Sequence, residues 1–192
     1  MKSQPHSGEA PKRADPVTRG RTKLLALGAL FALPVVLGWI AYLTGWVPGT
    51  TSNYGTLLPP RPLDAQSLEA LRGKWVLVQL DGAACDARCE KKLYHMRQVR
   101  RAQGREMRRV ERLWIITDSA ALRSELLAAI EGTHIARDQA QLVAAFAAEG
   151  AATEHIYLVD PLGNLMLRFP RDPDPSKMVK DLERLLKYSG FG

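Results

Sequence analysis

Cys85-Asp86-Ala87-Arg88-Cys89 is where this sequence gathers groups that could do chemistry. If the run opens a helix, four residues turn the chain by ~400°, so the two Cβ atoms share a face about 5–6 Å apart. A helix N-terminus offers unpaired N–H groups and the positive end of the dipole, both of which favour a thiolate. Arg88, Lys91 and Lys92 add positive charge, and a depressed thiol pKa is what a nucleophile or a metal ligand needs. Two thiolates suit a soft ion such as Cu(I), and dithiol and disulfide together make a redox couple. In exchange, Cys85, nearer the helix start, would attack and Cys89 would resolve. Two plainer readings compete: a structural disulfide, which gains little chain entropy from so short a loop, and a pair of inert buried thiols, which flanking Asp86, Arg88 and Glu90 oppose. The reactive readings need the two sulfurs side by side and open to solvent.

The pattern around the pair supplies that helix start. Trp75 to Leu80 (WVLVQL) reads as a buried strand, and Asp81 to Ala84 as a turn. From Asp86 to Ala102, Cys89, Leu93, Met96 and Val99 recur on one helical face, and Gly104 is a stop. Val110 to Thr117 is a second strand, followed by a helix to Ile130 capped by Asp118 or Ser119, and by an alanine-rich helix from Asp138 to Glu149. His155 to Val159 and Leu165 to Phe169 flank the turn DPLGN as a hairpin, and Ser176 to Tyr188 closes the chain as an amphipathic helix. The order β-α-β-α-α-β-β-α, parallel first and antiparallel last, predicts an α/β domain: a thioredoxin-like three-layer sandwich with a mixed sheet, reactive thiols at the start of the helix after its first strand.

The 192 residues, 46% hydrophobic with two cysteines, allow one such domain and an appendage, and exclude a disordered chain or a disulfide-rich scaffold. Residues 1–23 form a polar tail holding Lys2, Lys12, Arg13, Arg19, Arg21 and Lys23. From Leu24 to Pro60 there is no charged residue, and 24–47 is almost wholly apolar, enough for a single membrane span of about 20 residues. Pro34 is tolerable there, and Trp39, Tyr42 and Trp46 suit the far headgroup layer. The apolar stretch exceeds the ~7–15 residues of a signal-peptide core. Basic residues before the span put the N-terminus inside, so the domain is expected in the periplasm, on the outer side of an inner membrane. Residues 48–66 read as a linker and 67–192 as the exported domain.

Ten Lys and Arg lie between Arg88 and Arg112 against Glu90, Glu106 and Glu111. Outside the cytoplasm nucleic acid is not the expected partner; an acidic protein face or anionic headgroups fit better.

With the anchor, the element order and C-x3-C in place, the sequence resembles the SCO/SenC family of thioredoxin-like, membrane-tethered copper proteins. The resemblance runs from Gly73 onward, strongest in GKWVLVQL, CDARCEKKLYHMRQVRRAQG and YLVDPLGNL. It implies a role in assembling the copper centre of cytochrome c oxidase, an oxidase subunit as partner, and Cys85 and Cys89 as sulfur ligands of copper. Asp86 and Glu90 stand where the family has a proline after each cysteine. The third ligand it implies, a histidine five residues before Tyr157, falls on Ala152. His155 is the nearest substitute, but three residues along a strand reverses the face, so it serves only through a bulge. His95 lies about 240° around the helix from Cys89, His134 falls in a loop, and His6 is in the tail. Two other functions remain open: an exported thiol–disulfide oxidoreductase without copper, and a non-catalytic tethered scaffold.

Overall fold

The computed structural model describes residues 16–44, 53–137, 140–147 and 150–190. The chain divides into two units, Met1–Thr51 and Ser52–Gly192. The first contains α1 (Pro16–Leu43), whose stretch Gly20–Leu43 has a mean hydropathy of 2.4 and is long and apolar enough to cross a membrane. The helix starts earlier than the span read at 24–47, so the last residues of the basic tail are helical; Trp46 and Val47 lie outside the described residues.

The second unit is built on a six-stranded mixed sheet of order β1-β6-β5-β2-β3-β4. Its strands are β1 (Thr56–Pro62), β2 (Trp75–Asp81), β3 (Val110–Ile116), β4 (His134–Arg137), β5 (Ile156–Val159) and β6 (Asn164–Arg168). β2, β3 and β4 run parallel, whereas β5 is antiparallel to β2, β6 to β5 and β1 to β6. The helices are α2 (Gln66–Glu69), α3 (Ala87–Ala102), α4 (Ser124–Ala129), α5 (Ala140–Ala147) and α6 (Pro175–Tyr188).

Period-two alternation splits the strands between two cores. Val76, Val78, Leu80, Leu113, Ile115, Tyr157 and Val159 face Leu142 and Phe146 of α5. Leu77, Val110, Ile156, Leu158 and Leu167 face Met96 and Val99 of α3 and Met178, Leu182 and Leu186 of α6. The result is the three-layer sandwich expected of a thioredoxin-like domain.

Two strands were hidden in the sequence. β1 occupies what reads as linker: its Pro59, Pro60 and Pro62 lack amide hydrogens, which only an edge strand tolerates, and its ladder is irregular between Leu57 and Arg61. β4 is the opposite edge and buries only Ala136, so it has no alternation to read; His134 is therefore in a strand, not a loop. α3 ends at Ala102, before the expected stop at Gly104, which at φ +56 turns the chain into a 3-10 segment, Gly104–Arg109. The ends of the helix read at 138–149 lie outside the described residues.

Candidate functional site

β2 ends at Asp81 and a tight turn, closed by the Cys85 amide donating to the Gly82 carbonyl at 3.1 Å, leads into α3. Asp86 is the N-cap: its carboxylate accepts from the amides of Cys89 at 2.9 Å and Arg88 at 3.0 Å. That is what an aspartate in place of proline does here, satisfying donors a helix start leaves open. The Cys89 amide, and then the Arg88 charge, hold the Asp86 carboxyl below its ordinary pKa.

Cys85 and Cys89 are joined as a disulfide, with Cα atoms 5.1 Å apart. The sulfurs are side by side, as their spacing predicted. They are not open to solvent: Cys85 is 4% exposed and Cys89 is 0%. They pack with Trp114 and Ile116 of β3 and beneath Leu126 and Ile130, with Leu122 alongside. From the sheet side, the buried Gln79 donates through Nε2 to Cys89 Sγ at 3.3 Å.

The cover is pinned on both sides of the cysteine turn. The Asp118 carboxylate accepts from the Ala83 amide at 3.1 Å, close enough that a Cβ on Gly82 would meet it at 2.5 Å. It also accepts from the Ala120 amide, so it is not the cap of the next helix, which starts late at Ser124 with Arg123 at the N-cap position. Arg123 donates to the Cys85 carbonyl at 2.9 Å and pairs with Glu90. Cys85 itself has φ +42, a conformation unusual for a residue with a side chain.

Beside the pair lies a cavity of about 330 Å³ walled by Asp86, Arg88, Lys91, Lys92, His95 and the loop at Thr153–Glu154. Lys92, only 5% exposed, bonds Asp81 at 3.0 Å and the Thr153 carbonyl. Lys91 pairs with Asp172 at 2.7 Å. The cations read as thiolate-stabilising from sequence are thus neutralised by their own carboxylates, Arg88 by Asp86 at 3.8 Å.

Residues 75–189 match the family described as "transmembrane-like, thioredoxin-like, C-terminal domain". The chain belongs to that family. Solved structures with the same fold include yeast Sco1 with copper bound (16% identity, 73% of this chain and 96% of that one, TM-score 0.55). They also include apo Sco1 from Thermus thermophilus (18%, 72% and 99%, TM-score 0.51). A third is a thiol:disulfide interchange protein from Chlorobium tepidum (13%, 70% and 94%, TM-score 0.50). No curated protein matches the sequence.

For this transmembrane-like, thioredoxin-like chain the expected third metal ligand does not join the pair. His155 is extended, at φ −118 and ψ 159, and Nδ1 lies 2.8 Å from the Phe169 carbonyl. It shares a sheet face with Tyr157, whose ring it meets edge-on, and Tyr157 belongs to the α5 core. Gln79, which reaches Cys89, and its partner Ile156 point to the α3 face. The extended backbone keeps the alternation from His155 through Ile156 to Tyr157, so His155 and the sulfurs lie on opposite sides of the sheet. Ala152 sits in a 3-10 turn whose approach to α3 is a carbonyl holding the Lys92 ammonium. His134 faces Glu111 at 3.6 Å. Among the described residues no three His, Cys, Asp or Glu side chains form a metal-ligating cluster. The donor set here, two sulfurs and a neighbouring buried cation, does not fit a three-ligand copper centre. Gln79, Asp81, Asp118 and Arg123 are the site residues sequence reasoning did not assign.

Proposed function

We propose that this chain is a membrane-anchored thiol–disulfide exchange factor acting outside the cytoplasm in the assembly of cytochrome c oxidase, where it reduces a disulfide in the copper site of a target subunit. The observation that carries the chemistry is the Cys85–Cys89 bond at a strand-to-helix junction, with Cys85 as the sulfur nearer the surface. The anchor is α1; its preceding basic residues favour an inside N-terminus and a periplasmic domain. The oxidase target comes from the likeness to Sco1.

In the reduced state the Cys85 thiolate attacks one target sulfur and the target disulfide breaks, its second sulfur leaving as a thiolate. The Cys89 thiolate then attacks Cys85 Sγ, and the target's first sulfur leaves as a thiolate. The target gains two electrons and two thiols, and the chain is left with the Cys85–Cys89 bond. Return to the dithiol needs an exported dithiol reductant.

Incubating the reduced full-length chain in detergent with a disulfide-bonded peptide carrying a copper-site sequence tests this. The wild type is expected to turn peptide disulfide into thiols, Cys85→Ser to be inactive, and Cys89→Ser to accumulate the mixed disulfide. Absence of the trapped species, together with a 1:1 Cu(I) complex that Cys85→Ser abolishes, would transfer the assignment to copper delivery with Cu(I) as cargo. Restoration of oxidase activity in a deletion strain by the double Cys→Ser variant would assign a scaffold role.

A further inference from the structure

An exchange site must let a second sulfur approach the first, and this one is closed. The cover is the segment running from Thr117 to Ile130, and its grip on the cysteine turn is polar at two points, Asp118 on the Ala83 amide and Arg123 on the Cys85 carbonyl. Between those points residues 119–123 have no regular structure and are mostly exposed. Beyond them the cover is held by Leu126 and Ile130, buried in one cluster with the cysteines, Leu93 and Trp114. Both points lie at the surface: Asp118 is exposed, and the Arg123 side chain is 47% accessible, as is that of its partner Glu90. Water and solutes reach this contact directly, whereas the leucine and isoleucine behind it are buried. A segment with few backbone bonds, fastened by a solvent-reachable pair, is where local opening costs least.

We propose, resting on the exchange reading above, that Arg123 is a positioning residue for thiol–disulfide exchange. It latches the cover over the disulfide by bridging the Cys85 carbonyl and the Glu90 carboxylate, and that latch opens before a thiol reaches Cys85 Sγ. Cys85 is the sulfur attacked because Cys89 is fully enclosed against Gln79. The incoming thiolate bonds Cys85 Sγ, the bond to Cys89 breaks, and Cys89 leaves as a thiolate that takes a proton from water. In the reduced state the same pair tunes Cys85: the guanidinium favours its thiolate and the Glu90 carboxylate opposes it. The two partners therefore act in the same direction on access and in opposite directions on acidity.

The test uses the full-length chain in detergent and dithiothreitol, whose two thiols end as its cyclic disulfide while the Cys85–Cys89 pair takes up the two electrons. Arg123→Gln is expected to speed reduction roughly fivefold or more, as loss of a charge-assisted hydrogen bond implies. Glu90→Gln, which leaves the bond to the Cys85 carbonyl, is expected to speed it less. In the reduced proteins the pH midpoint for alkylation of Cys85 should move up in Arg123→Gln and down in Glu90→Gln, a split that a general loosening of the fold does not produce. Phe146→Leu, in the core on the other side of the sheet, controls for lost stability and should leave the reduction rate unchanged. The latch is refuted by a wild-type reduction rate in Arg123→Gln, by equal acceleration in Phe146→Leu, or by midpoints that move together. Loss of exchange with the target peptide while these results stand would remove the exchange reading and leave the latch; exchange intact with an unaltered Arg123→Gln rate would do the reverse.

Discussion

The two ends of α3 carry similar numbers of cations and use them differently. At its N-terminal end Arg88, Lys91, Lys92 and the facing Arg123 are each paired, with Asp86, Asp172, Asp81 and Glu90. At its C-terminal end and in the 3-10 segment after it, Arg100 and Arg109 have carboxylate partners, in Glu111 and Glu106. The side chains of Arg101, Arg105 and Arg108 make no hydrogen bond or ion pair among the described residues. The positive excess in the sequence is therefore displaced from the disulfide by the length of a helix. Near the sulfurs, charge is used to close and position; at the other end it is left as a field. A thiol site surrounded by unpaired cations would draw anions indiscriminately, whereas this one presents neutral pairs.

The largest effect should come from breaking neutrality at the sulfur end. The Lys92 side chain is 7% exposed and that of Asp81 is 23% exposed. Removing the carboxylate strands an ammonium in low dielectric with only the Thr153 carbonyl to hold it, and breaking a buried pair in this way costs about 3–5 kcal/mol. Asp81→Asn is expected near the bottom of that range by urea unfolding, since water reaches part of the pair. Lys92→Met, which leaves the better solvated partner behind, should cost less. Equal losses from the two would mean that the pair is no more than a solvated contact, and the contrast between the ends of α3 would fail.

A middle-sized effect concerns pH. His95 is buried on α3 between the two ends, and burial first, then the Lys91 charge, lowers its pKa below 6.5, against the opposing pull of Asp172 and Asp174. The unfolded chain then takes up its proton before the folded one does as pH falls. Stability contributed by the neutral imidazole is present above the unfolded value and is lost as pH drops below about 6.5. Asp86, Asp172 and Glu106, with lowered pKa values, add a second loss further down, as pH falls through their folded values. The urea midpoint of the wild type should fall between pH 7.5 and 5.5, and that of His95→Gln should stay nearly level over that interval. A parallel fall in both would place the titrating group elsewhere.

Much of this arrangement was readable in the sequence, and the parts that were not share a cause. β2, β3, β5 and α6 are legible because uninterrupted apolar runs or strong helical periodicity mark buried elements. The cysteine pair was legible from spacing alone, and so was the problem with His155, since alternation along an extended strand fixes which face a residue meets. β1 was obscured by prolines that only an edge position allows. Asp118 reads as a helix cap because it has the right chemistry in the right place; its carboxylate is instead drawn to an amide 35 residues away. Arg123 and Cys85 are 38 residues apart, and nothing local to either announces the bond. Exposure of the sulfurs failed for the same reason: the cover comes from a segment whose own pattern says only that one side of it is apolar.

The smallest effect on stability should produce the clearest effect on association. Replacing Arg101, Arg105 and Arg108 together by Gln removes three charges that act on Glu106 at most through space, so unfolding free energy should move by no more than about 0.5 kcal/mol per site. Those charges project a positive potential, and a partner with an acidic face approaches it faster at low ionic strength than at high. Exchange with an acidic protein disulfide should therefore slow with added salt in the wild type, and much less in the triple variant. A Lys91→Gln variant, whose charge is already spent on Asp172, should keep the wild-type salt slope. If the slope of the triple variant matched the wild type, the guanidiniums at the far end of α3 would be no more than a solvated surface. If Lys91→Gln lost the slope instead, the steering field would belong to the sulfur end, and the division of labour along the helix would be reversed.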